Sequence, residues 1–171
     1  MVIPRPVSLA VLLLSSVWLF PAAAQNLIKP VVPGDPVMLL PSDMAILEAP
    51  AERKDLPCTV IPRKTDLGFD LRFHAGYDVT VPLKELEGDG ELLTVVFRVY
   101  PAGDKEHSAY FSQHIRVPEV EDDAKGEATV SGAFDVGEGN YHVDWLLRDR
   151  EERPCSSSWD TQATLADKDH G

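Results

Sequence analysis

The chain is short of cysteine, of basic residues and, past Phe20, of long apolar runs, and each shortage excludes something. Only Cys58 and Cys155 are present, so no C-x-x-C redox motif exists. Sixteen basic side chains against 28 acidic ones leave a net charge of −12, which repels nucleic acid and anionic lipid. No G-x-S-x-G elbow surrounds Ser156-Ser157-Ser158, and no D-x-D-x-D-G loop contains the carboxylates of Glu121-Asp122-Asp123 or Asp89. Internal repeats and low-complexity tracts are also missing.

What is present begins with an export signal. Arg5 forms a positive n-region, Val7 to Phe20 an apolar stretch interrupted by serines, and Ala22-Ala23-Ala24 a small-residue cleavage site before Gln25. The stretch is shorter than the roughly 20 apolar residues of a membrane span, which favours a cleaved signal peptide over residues 1–24 against an uncleaved anchor. No cysteine follows the site to carry lipid. The expectation is a mature chain starting at Gln25, secreted or periplasmic, with no membrane insertion after cleavage. Arg5 is the only charged residue removed, so that mature chain is still more acidic.

Residues 25–56 contain Pro30, Pro33, Pro36, Pro41 and Pro50, each of which removes a backbone donor and disfavours helix before it. This predicts an extended arm. Within it, Ser42 is placed to cap a short turn through Met44, Ala45, Ile46 and Leu47, whose apolar side chains would pack on the domain. The tail 166–171 has no apolar periodicity.

Between these segments, over 57–165, apolar residues recur at every second position, the spacing of strands that bury one face. Leu67, Phe69, Leu71 and Phe73 alternate with Gly68, Asp70, Arg72 and His74, and Tyr141, Val143, Trp145 and Leu147 alternate with His142, Asp144, Leu146 and Arg148. The pattern predicts strands over 58–61, 67–74, 77–83, 92–100, 109–117, 127–136, 140–148 and 155–164. Ala75-Gly76, Glu87-Gly88-Asp89-Gly90, Pro101-Ala102-Gly103-Asp104 and Gly137-Glu138-Gly139 supply turns between them. Pro82 falls on a polar position and marks its strand as an edge or a bulge. The expected fold is an all-β, antiparallel β-sandwich of seven or eight strands. Its core would unite Tyr141, Val143, Trp145 and Leu147 with Phe69, Leu71, Phe73, Val95, Phe97, Val130 and Phe134. In an exported chain, Cys58 and Cys155 read as a disulfide joining the first and last strands; closing a loop of about 100 residues is worth roughly 4–5 kcal/mol in the chain-entropy picture.

The run Gly132 to Trp145, Gly-Ala-Phe-Asp-Val-Gly-Glu-Gly-Asn-Tyr-His-Val-Asp-Trp, resembles the last hairpin of bacterial immunoglobulin-like domains. With Asp55-Leu56-Pro57-Cys58 and Gly68 to Tyr77 it is similar to a group of uncharacterised secreted bacterial proteins, over Asp55 to Ala163. The resemblance implies an immunoglobulin-like sandwich and no particular chemistry. Trp145 stands where antibody domains carry the second cysteine of their inter-sheet bridge.

Candidate chemistry is sparse. His142 and Asp144 share a strand face and are the residue types of a metal site or an acid/base pair, but the pattern is weak, and solvated charge on the polar face of the strand accounts for them without a site. His74 and His114 read as surface histidines. Trp145 and Trp159 fall on the apolar phase and are expected in the core, whereas Tyr100 and Tyr110, on the polar phase of neighbouring strands, are candidates for an exposed aromatic patch. The expectation is a non-enzymatic module for protein interaction or envelope structure, without cofactor or metal. The alternatives are a ligand-binding module, for carbohydrate or calcium, and a hydrolase using His142 and Asp144.

Overall fold

The computed structural model describes residues 39–86, 90, 92–121 and 123–165. The expected signal peptide, residues 25–38 of the arm, the turn at 87–89, Asp122 and the tail 166–171 lie outside them. The described chain is a short helix α1 (Pro41–Glu48) followed by seven strands: β1 (Thr59–Leu67), β2 (Phe73–Pro82), β3 (Leu92–Pro101), β4 (Ala109–Arg116), β5 (Glu127–Val136), β6 (Gly139–Arg148) and β7 (Pro154–Ala163). They form two antiparallel sheets, ordered β1-β2-β5 and β4-β3-β6-β7. From β3 onwards the expected strands match the observed ones to within one residue, because runs such as Leu-Leu-Thr-Val-Val-Phe-Arg-Val-Tyr favour a pleated, half-buried surface.

The two sheets share one core. Tyr77, Val79, Val81 and Phe134 from the first meet Val95, Phe97, Val143, Trp145 and Leu147 from the second. Tyr77 makes edge contacts with Phe97 at 5.8 Å and with Trp145 at 5.2 Å, and Phe97 stacks on Phe111 at 4.7 Å. Each such side chain contributes roughly 1.5–3 kcal/mol by leaving water. The phase predicted for Val95, Phe97, Phe134, Val143, Trp145 and Leu147 is therefore the observed one. Tyr141, Val130 and Trp159 are half-buried against its rim.

The first hairpin departs from expectation. One continuous β2 replaces the two strands expected over 67–74 and 77–83, and the turn lies at 68–72 instead of Ala75-Gly76. Ala75 and Gly76 are mid-strand, paired with Phe134 and Ala133. Gly76 is there for close approach: a side chain on it would meet the Gly132 carbonyl oxygen at 2.6 Å and the Arg63 guanidinium at 2.7 Å. Phe69 and Leu71, expected in the core, are in water because the alternation that names them runs through a turn. Pro82 does not mark an edge: β2 is the central strand of its sheet, and Pro82 is its last residue. The edge strands of that sheet are β1 and β5, and it is β1 whose register slips, between Arg63 and Asp66.

Two segments before β1 close the molecule. Lys54 bridges Cys155 and the Leu56 amide donates to the Pro154 carbonyl at 3.0 Å, so the chain borders the start of β7 before crossing to the other sheet. Cys58 and Cys155 are disulfide-bonded there, with Cα atoms 6.2 Å apart, as the sequence predicts. Such bonds persist in oxidising compartments outside the cytosol. Among the described residues no helix is long and apolar enough to cross a membrane.

Helix α1 covers the outer face of the second sheet. Val96 and Leu146, cross-strand partners on that face, are buried by Leu47, with Leu39 and Ile46 beside them. Pro41 opens the helix, where its missing N–H is no loss. Ser42 lies inside the first turn and is not the cap: the Leu40 amide donates to the Asp43 carboxylate at 3.1 Å. Asp43 is itself buried and pairs with Arg148 Nε at 3.0 Å.

Candidate functional site

Strand register gathers the four predicted contact residues on the outer face of the second sheet. Arg98 of β3 lies opposite Tyr110 of β4 and Asp144 of β6, while Tyr100 lies opposite His142. Arg98 is 2% exposed, and its Nε donates to Asp144 at 2.6 Å and its Nη2 to the Leu47 carbonyl of α1 at 2.8 Å. Burial works against the Arg98 charge, but hydrogen bonds to Asp144 and Tyr110 outweigh it and raise its pKa. His142 is held on both ring nitrogens, Nδ1 by Asp160 at 2.6 Å and Nε2 by Asp144 at 3.3 Å.

This cluster fastens α1 to the sheet. Its carboxylates are turned to Arg98 and His142, so neither nitrogen of the imidazole faces a nucleophile. Tyr100 is half-buried, with the His142 ring 5.2 Å from its own and the Arg98 guanidinium 5.7 Å away. Burial raises the pKa of its phenol, and the Asp144 charge adds to the effect. Tyr110 is half-buried beside the same arginine. Tyr100 and Tyr110 thus flank Arg98 half-buried, where the sequence predicts an exposed aromatic patch. Elsewhere His114 bonds Thr94 Oγ1 at 3.1 Å. Among the described residues no group of His, Cys, Asp and Glu is arranged to hold a metal ion. Asp89 and Asp122 lie outside the described residues.

The second feature is the turn joining β1 to β2. Phe69 is fully exposed and Leu71 82% exposed, on either side of Asp70. The turn is nevertheless well fastened. The Gly68 amide donates to the Arg72 carbonyl at 2.8 Å, the Leu71 amide to the Gly68 carbonyl at 3.1 Å, and the Arg72 amide to Asp70 Oδ1 at 3.2 Å. His74 then ties the turn to the sheet, its Nε2 bonding Asp70 at 3.0 Å and its Nδ1 bonding Asp135 of β5 at 2.8 Å. Arg72 pairs with the same Asp135 at 3.0 Å. Burial alone pulls the His74 pKa down; the bonds to Asp70 and Asp135 overcome this and leave it raised. Gly68 makes room for the arrangement, since a side chain there would collide with the His74 ring and the Asp70 carboxylate. Leu71 has φ 62°, a left-handed conformation that costs a leucine on the order of 1 kcal/mol or more.

Between the edge strands β1 and β7 runs a cleft of about 1340 Å³, lined by Pro62, Arg63, Lys64 and Leu67 on one side and Trp159 and Leu165 on the other. Thr65 and Thr161 hydrogen-bond across it at 2.7 Å. Five large apolar side chains stand exposed among the described residues: Ile61, Leu67, Phe69, Leu71 and Leu165. All lie on β1, on the turn after it, or beside Leu67 in this cleft.

Neither a protein-family model nor a curated protein matches the chain. Among solved structures it is similar to Northeast Structural Genomics Consortium target SoR45, at 11% identity and a TM-score of 0.36, over 71% of this chain and 99% of that one. A likeness that remote assigns no function.

The sequence thus points to the face that holds Tyr100, Tyr110, His142 and Asp144, and to an apolar turn at Met44 to Leu47 that packs on the domain, but not to that turn lying over this face or to Arg98 beneath it. A signal was available: Val96 and Leu146 are apolar at outward positions, which calls for something to lie over them. The apolar turn was missed for the opposite reason, its residues having the spacing of a strand.

Proposed function

We propose that the chain is an exported, non-enzymatic module with an immunoglobulin-like sandwich that acts by binding a protein partner along β1 and the β1–β2 turn. The strand orders support the fold assignment: they match the two immunoglobulin sheets if the fourth strand is placed beside the third instead of beside the fifth. The disulfide, and the signal-peptide pattern read in the sequence of residues 1–24, support action outside the cytosol. The observation that carries the binding function is that Ile61, Leu67, Phe69 and Leu71, four of the five exposed large apolar side chains, stand on β1 and the turn after it, while the fifth, Leu165, lines the same cleft as Leu67. Scattered apolar side chains need no explanation, but a grouped set marks an interaction surface.

The test is comparative co-purification. The tagged, exported chain is recovered from the cells that make it beside a Leu67→Ser, Phe69→Ser, Leu71→Ser variant, with circular dichroism verifying that the variant is folded. The wild type is expected to retain at least one protein, in stoichiometric amount, that the variant loses. Identical sets of retained proteins would contradict the assignment.

A further inference from the structure

We propose that Phe69 and Leu71 act together as one pre-set, two-pronged plug that enters an apolar pocket of a basic partner protein; this rests on the protein-binding function and specifies its site. Both side chains project fully into water from a convex turn, so their counterpart must be concave. They are also held in place before any partner arrives. Hydrogen bonds within the turn, the His74 bridge to Asp70 and Asp135, and the Arg72–Asp135 pair fix the backbone that carries them. Little conformational freedom is then left to lose on docking, which is how pre-organised loops gain affinity. The left-handed Leu71 and the space that only Gly68 leaves for His74 are costs that the tip bears without serving the core.

Charge sets the sign of the partner. The chain carries −12, and at the tip Asp66, Asp70 and Asp135 stand against Arg72 and His74, so one negative charge is left over among these groups even with the imidazole protonated. A pocket with a basic rim complements this and speeds encounter. A lipid surface fits less well, because Asp66 and Asp70 would enter the headgroup layer with the apolar residues. A second copy would meet the same negative charge, and along the β1 edge Pro62 and the register slip between Arg63 and Asp66 interrupt strand-to-strand pairing.

The experiment places a photo-crosslinking benzoylphenylalanine at position 69, at position 71 and, as a control, at position 114 on β4, in the full chain exported by its own cells. Positions 69 and 71 are expected to trap the same second protein through residues of an apolar pocket, and position 114 to trap none. That protein, once purified, should bind the full chain with affinity lowered about 30-fold or more by Phe69→Ser and less than twofold by Ile61→Ser, and its association should slow as salt rises. An adduct of twice the chain's own mass, a lipid adduct, or no adduct at 69 and 71 would overturn the plug. So would an affinity that Phe69→Ser leaves unchanged. If Ile61→Ser or Leu165→Ser abolishes binding while Phe69→Ser does not, the plug falls and the wider binding function stands. If co-purification and crosslinking both yield no protein, both fall.

Discussion

His74 joins three elements through one ring, and its environment makes a pH signature. Its folded pKa is raised by Asp70 and Asp135 against the effect of burial, so the protonated form is the one the fold favours. That contribution is fully present below the unfolded pKa of about 6.5 and is lost as pH rises through the higher folded value. Urea unfolding of wild type and His74→Gln should therefore show a stability difference that is largest at acidic pH and shrinks through neutral to alkaline pH. A difference that grows with pH would refute the bridge. Gly132 supports a second prediction at this scale. It pairs with Tyr77 across β5 and β2, and a methyl group there would collide with the buried Tyr77 ring. Gly132→Ala should cost about 1–3 kcal/mol by overpacking, measured as a lowered urea midpoint. At single residues the sequence was informative where packing sets identity: Trp145 is 1% exposed, as its apolar phase predicts. It was uninformative where backbone conformation does, because a left-handed leucine at position 71 leaves no mark in composition.

Among the elements, β3 to β7 were legible because alternation and glycine turns agree in those segments, and agreement between local and long-range signals leaves one register open. The β1–β2 hairpin was not. Leu67, Phe69, Leu71 and Phe73 keep a spacing of two through a turn, and of the four only Phe73 is buried. Helix α1 was half legible. The sequence placed an apolar turn near Met44 to Leu47, but the partners that hold it, Arg98 for the Leu47 carbonyl and Arg148 for Asp43, are distant in the chain. Those polar contacts are a testable part of the packing. Asp144→Ala removes the carboxylate 2.6 Å from an arginine that is 2% exposed. That leaves the buried charge to Tyr110, the Leu47 carbonyl and the exposed Glu48 carboxylate at 3.7 Å and should cost about 3 kcal/mol, whereas replacing Arg98 and Asp144 together by Met and Leu should cost far less. Denaturant unfolding of the two variants checks both. Equal losses would mean that Arg98 has other sufficient partners.

On the scale of the whole molecule, the chain is two facing sheets stapled at one end, with an apolar turn held out at another place. The disulfide closes a loop between residues 97 apart in sequence, so Cys58→Ser should lower stability by roughly 2–5 kcal/mol while leaving the circular dichroism of the folded state unchanged. The proposed binding needs a different property, a tip that is exposed and yet rigid. Exposed loops that merely connect strands are usually mobile, and a mobile tip would give Phe69 and Leu71 no fixed geometry to recognise. The most direct measurement is the backbone amide order parameter of residues 68–72 by ¹⁵N relaxation on the free protein. The fastened turn predicts values close to those of the strands, about 0.85. Values below about 0.6 at Phe69 and Leu71 would show the tip to be loose in solution and would contradict the account.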